Sequence, residues 1–208
     1  MEGWRSSVRG SARMLDTGKA LAIVEAFAAQ QDGLAIKSRE LIVALLSHTE
    51  APFSREQYLP GHITCSAIIL DTTGDRVLLM HHHRHQRWLL PGGHVEATDR
   101  SLAETARREA MEETGVAVPA AATAFLVGMD VHAIPPGKGE PYHLHHDLVF
   151  ALRALDNVFT CTEEAPRIAW VPSAELGAYQ APLNIVRSAW RAQAQLGLDG
   201  RDRAKQFP

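Results

Sequence analysis

Cysteine is nearly missing: in 208 residues there are two, Cys65 and Cys161. They form no close pair, which excludes a disulfide framework and a zinc ribbon and points to a reducing compartment, the cytoplasm. Charge of one sign is missing too. The 21 Lys+Arg stand against 24 Asp+Glu, a formal charge of −3, so no general attraction to nucleic acid or anionic membranes is expected. Apolar runs such as Ile63 to Leu70 are too short to span a bilayer. The first sixteen residues carry Arg5, Arg9 and Arg13 without an apolar core, so no secretory signal is expected there. Fifteen Gly and eleven Pro exclude a low-complexity chain. What is abundant is histidine: eleven, all but His48 between His62 and His146.

Residues 18–30 place Leu21, Val24, Phe27 and Ala28 at helical spacing, and a second helix follows Ser38 with Leu41, Ile42, Leu45 and Leu46 on one face. This pair is too small to be stable alone, so it packs either on the main domain or on a second copy of itself as a homodimer. Strands are expected at 62–70, 77–80 and onward toward His85, 125–134, 145–152 and 167–171. A glycine-containing turn, Asp71 to Asp75, makes the first two a hairpin. Helices are expected at 100–114, closed by Gly115, and at 183–196. The domain plan is a flexible N-terminus (1–16), a helical extension (17–58), a main domain (59–198) and a tail (199–208). Strands and helices interleave without regular βαβ spacing, which favours α/β or α+β packing over a doubly wound sheet.

The chemically loaded stretch runs from Gly92-Gly93-His94 to Arg108-Glu109-Ala110-Met111-Glu112-Glu113-Thr114-Gly115. Glu109, Glu112 and Glu113 stand at i, i+3 and i+4 and share a helix face, where like charges repel. A bare acidic triplet of this kind can be a solvated surface. A divalent metal also resolves the repulsion, and hard oxygen ligands suit Mg²⁺ or Mn²⁺. Arg108 has the planar fork to hold one carboxylate, and Gly92-Gly93 lets backbone atoms approach a metal or phosphate.

Gly93 to Val116 resembles the signature of the Nudix hydrolases, G-x5-E-x7-R-E-U-x-E-E-x-G-U with U a bulky aliphatic residue. Here Asp99 replaces the first Glu, one extra residue precedes Arg108, and Ala110 is small for its position. The extra residue enlarges the loop before the helix and leaves the Arg-Glu-x-x-Glu-Glu block intact. Trp88 to Gly93 and Trp170-Val171-Pro172 extend the likeness to about 62–196. The resemblance implies an αβα sandwich around a mixed sheet and hydrolysis of a nucleoside diphosphate linked to another group. It implies that Glu109, Glu112, Glu113 and the Gly93 carbonyl hold Mg²⁺, with Arg108 orienting Glu109 and Glu109 or Glu112 as the base. A non-catalytic ligand-binding or sensor protein on the same scaffold is the alternative.

Strand alternation places His143, His145 and Asp147 on one face, and Asp130 with His132 on one face of another strand. If these strands pair, the group has three readings: half-exposed strand residues, contacts to substrate phosphates, or a second, transition-metal site. Arg84 and Arg87 are further candidates for substrate contact, against a solvated loop. His48 and His62 are read as structural, and His94 is left open between packing and the site chemistry.

Overall fold

A computed structural model describes residues 15–29, 31–83, 86–137, 139–163 and 165–196. Two helices, α1 (Thr17–Ala26) and α2 (Gly33–His48), precede strands β1 (Gly61–Leu70), β2 (Arg76–His82), β3 (Arg87–Leu89) and β4 (Gly92–His94). Helix α3 (Leu102–Thr114) follows, then β5 (Phe125–Ile134), β6 (His143–Arg153), β7 (Arg167–Pro172) and α4 (Leu183–Gln195). The strands make one seven-stranded mixed sheet, ordered β3-β2-β1-β6-β5, with β4 paired to β1 and β7 to β2. Among the described residues only β1 and β6 run parallel, in a ten-residue register from Gly61↔Leu144 to Leu70↔Arg153; β5 returns antiparallel along β6.

Alternation along β1 divides the core. Ile63, Cys65, Ala67 and Ile69 face one layer with Leu102, Ala106 and Ala110 of α3 and the apolar residues of α1 and α2. Ile68 and Leu70 face the other, with Ile185, Ala189 and Ala192 of α4. The result is an αβα sandwich with an N-terminal helical extension, as expected. The extension packs on the main domain, since Val24, Phe27, Ile42, Leu45 and Leu46 belong to the α3-side core.

Several boundaries differ from the sequence reading. Helix α1 stops at Ala26, leaving Ala28 exposed and Ala29 buried. Asp32 caps α2 at Gly33, ahead of Ser38, by accepting from the Leu34 and Ala35 amides. The buried stripe is then Ala35, Ser38, Ile42, Leu45 and Leu46. Leu41, about 100° around the helix from Ile42, is 49% exposed. Helix α3 begins at Leu102 because Ser101 is its extended N-cap, accepting from the Glu104 amide. Strand β2 ends at His82 in a turn, so the alternation expected out to His85 does not continue. Arg84, His85, nearly all of the segment expected to be a flexible N-terminus (1–16) and all of the expected tail (199–208) lie outside the described residues. The three-residue strands β3 and β4 were not expected from the sequence.

Candidate metal and active site

Helix α3 carries its carboxylates beneath β4, and one guanidinium organises them. Arg108 grips Asp99 with two bonds, Nε to Oδ1 at 3.1 Å and Nη2 to Oδ2 at 3.0 Å. Its Nη1 reaches Glu109 Oε1 at 2.8 Å and Glu112 Oε2 at 3.0 Å, and Glu96 lies at 3.8 Å. Its Nη2 also donates to the His94 carbonyl at 2.8 Å, tying the helix to β4. The Gly92 amide donates to Glu113 Oε2 at 2.8 Å. At Gly93 a Cβ would meet the Glu109 carboxylate at 2.6 Å, so only glycine lets strand and carboxylate approach this closely. Gly115, at φ +65°, ends the helix in the left-handed conformation expected of it.

Asp99, for which the sequence alone gave no role, is the anchor of this network. Besides Arg108 it accepts from the Glu96 amide and the Thr105 hydroxyl. Burial works to raise its pKa, and these bonds outweigh burial and hold it below the usual carboxylate value. The Asp99 carboxylate in turn raises Arg108 against the lowering effect of burial, and Glu109 adds to the rise. Glu109 behaves oppositely. Burial raises its pKa and Arg108 offsets that only in part, while Glu112 and Glu96 add repulsion. One arginine shared among Glu96, Asp99, Glu109 and Glu112 leaves carboxylate charge in excess beside the Gly92-Gly93 backbone, which Glu109 and Glu113 meet directly. That is a hard-oxygen donor set of the kind that fits a divalent cation.

The next residue along β4 points the other way. Where Gly93 meets Glu109, His94 packs against His62, tilted, and against His145, edge-on, with ring centroids 5.0 and 5.2 Å apart. The pairing of β5 with β6 sets Asp130 opposite Asp147 and His132 opposite His145, so the predicted convergence is formed. His62, read as structural, sits inside it, 4.9 Å from His145 and 5.0 Å from His143. No periodicity within one strand could have found His62 and His94. They join the group through long-range pairings, His62 with His145 and Thr64 with His94.

Electrostatics divides the histidines. Burial and neighbouring imidazoles hold His145 down to about 2 and His94 to about 4, so both rings stay neutral in mild acid. Burial also lowers His62. His132 is raised, because its Nδ1 meets Asp130 Oδ2 at 2.9 Å. Asp147 is raised by burial, although the Thr64 hydroxyl donates to it at 2.9 Å. His143 and Asp147 are buried. Arg87 is exposed on β3 and lines a cleft with His81, Trp88, Tyr179 and Gln180. There Trp88 meets Tyr179 edge-on at 5.2 Å, and the Arg167 guanidinium lies 5.6 Å from the Trp88 ring centroid.

A family model described as the NUDIX domain matches residues 60–192. Among the curated proteins no match was found. The fold is similar to that of a NUDIX-family hydrolase from Clostridium perfringens, at 23% identity over 65% of this chain and 97% of the other, with a TM-score of 0.47. It is similar to the MutT protein from Methanosarcina mazei Go1, at 22% identity, 64% and 94% coverage and a TM-score of 0.49. A third solved structure, the NUDIX domain of Shewanella oneidensis NrtR complexed with ADP ribose, gives 21% identity, 65% and 87% coverage and a TM-score of 0.45. The family model spans well over half of the sequence and includes the whole glutamate helix and its glycine strand, and on that match the chain belongs to the Nudix hydrolase family.

Proposed function

We propose that the protein is a Mg²⁺-dependent pyrophosphohydrolase, cleaving a phosphoanhydride bond of a nucleoside diphosphate linked to another group. The observation that carries this reading is the Glu109 carboxylate pressed against Gly93 and held by Arg108, with Glu112 on the same guanidinium. Glu109, Glu112, Glu113 and the Gly93 carbonyl would hold the ion, Mg²⁺ or as second choice Mn²⁺. A divalent ion there supplies acidity to a water nucleophile and offsets charge on the phosphate oxygens. Arg108 fixes the angle of Glu109, Asp99 fixes Arg108, and the Gly92 amide fixes Glu113. Glu109, bonded to Arg108 and largely buried, and the more exposed Glu112 are the two candidates for the base.

Of the candidate substrate contacts, Arg87 in its aromatic-lined cleft and the half-exposed His132 can meet an anionic nucleotide. We place the protein in the cytoplasm; no helix among the described residues is long and apolar enough to cross a membrane. We keep the division into a helical extension (17–58) and a catalytic domain (59–198). The test is product release from a panel of nucleoside-diphosphate derivatives with and without Mg²⁺. Glu113→Gln should abolish turnover while leaving the melting midpoint nearly unchanged. Retained turnover sinks the site assignment, and binding without turnover by the unaltered protein favours the sensor alternative.

A further inference from the structure

We propose that His62, His94 and His145 form a second metal site, for a divalent transition ion of the Zn²⁺ class, separate from the carboxylate site. One ring nitrogen from each of the three lies within 4.8 Å of the other two. A tetrahedral ion at about 2.0–2.1 Å from each nitrogen needs them about 3.3–3.4 Å apart, so small ring rotations close the gap. The three come from β1 and from β4 and β6, each of which pairs directly with β1, so their backbone positions are fixed by the ladder.

His62 carries the ligand signature. Its Nδ1 lies 3.1 Å from the Gln57 carbonyl, which fixes the proton on that nitrogen and leaves a lone pair on Nε2. That Nε2 is buried and meets no hydrogen-bond partner, in a residue only 1% exposed. A buried polar atom left unsatisfied is costly, and metal coordination removes the cost. His143 packs within 5.0 Å of His62 and 5.2 Å of His145, and its own Nδ1 is held by the Pro141 carbonyl at 2.8 Å. It supports the site from beside it.

The ligand class follows from the donors. Imidazole nitrogens suit borderline transition ions, whereas Mg²⁺ prefers the oxygens across β4. A substrate phosphate is disfavoured because His62 is enclosed. Three protein ligands leave one coordination position open. Because His94 follows Gly93 directly, an ion here would brace the strand that lies over Glu109.

The experiment reads metal content, not turnover, so it stands or falls separately from the hydrolase assignment. Chelator-stripped protein without an affinity tag is titrated with Zn²⁺ in the absence of Mg²⁺. One tightly held Zn²⁺ per chain is expected. His94→Asn and His145→Asn should each weaken it by at least about a hundredfold, since even supporting residues around a metal cost 10–100-fold. The Glu112→Gln/Glu113→Gln double variant should keep it, as should His82→Gln/His83→Gln. X-ray absorption of the Zn²⁺-loaded wild type should give about three imidazole nitrogens at about 2.0–2.1 Å, which decides the question even if a variant fails to fold. Substoichiometric binding, oxygen-dominated coordination, or binding that follows the glutamates or His82 and His83 overturns the proposal.

Discussion

Asp99 illustrates how a departure at one residue is absorbed by geometry. Its side chain is a methylene shorter than the glutamate of the family signature, yet it takes the Nε–Nη2 edge of the Arg108 guanidinium with both oxygens and ties the 96–99 turn through the Glu96 amide. Arg108 in turn contacts Glu109 and Glu112, so Asp99 acts on the chemistry at one remove. Asp99→Asn keeps the shape but removes the charge that holds the guanidinium. Turnover should then fall by about 10- to 100-fold, the usual cost of losing a residue that positions a metal ligand, with little change in the substrate KM. Unchanged kcat at saturating Mg²⁺ would show that Arg108 needs no anchor. The residue types of this network were readable from the sequence, because i, i+3 and i+4 glutamates must share a helix face. The network around Asp99 was not. It depends on where the 95–101 loop turns back, and no local periodicity encodes that.

At the level of elements, α2 is held by one carboxylate with two duties. Asp32 caps the helix through the Leu34 and Ala35 amides and bridges to Arg187 and Arg191 of α4 at 2.6 and 2.5 Å. Asp32→Ala should destabilise the fold by about 2 kcal/mol, mostly cap loss, with partly exposed arginines contributing the rest. Asp32→Asn should cost less because an amide still caps. Burial pushes the Asp32 pKa up, but the Arg191 bond, the Ala35 amide and both arginine charges together bring it below the ordinary value. A depressed folded pKa means the stabilisation is present above the unfolded value and is lost as pH falls through the folded one. The gap in urea stability between wild type and Asp32→Asn should therefore close on acidification, and a gap constant with pH refutes the ionic part. The long strands were legible because sustained apolar runs bounded by turn residues mark them, as in β5, expected and found at Phe125 to Ile134. β3 and β4 were not, since three residues of Arg-Trp-Leu or Gly-Gly-His carry no period; their pairing with β2 and β1 defines them.

Across the whole molecule the N-terminal helices are part of the core as well as an appendage. Val24, Phe27, Ile42, Leu45 and Leu46 share the α3-side cluster with Ile63, Leu148 and Phe150 of the central strands. The amphipathic pattern announced a buried face, but amphipathicity alone could not say whether the sheet or a second copy would cover it. The sheet covers that face, and the large apolar residues of the two helices left outside, among the described residues, are Ile23, Leu34 and Leu41. Two separable outcomes follow. Deleting residues 1–53 uncovers the α3-side core, so the truncated chain should aggregate or melt well below the full one, since large buried side chains contribute about 1.5–3 kcal/mol each. Leu34→Lys with Leu41→Lys leaves the core covered and should keep the melting midpoint. If the helices also join two copies, this double variant alone should turn a dimer into a monomer by light scattering. Identical mass for both proteins removes the homodimer reading, and a truncated chain that stays soluble and equally stable removes the core role of the extension.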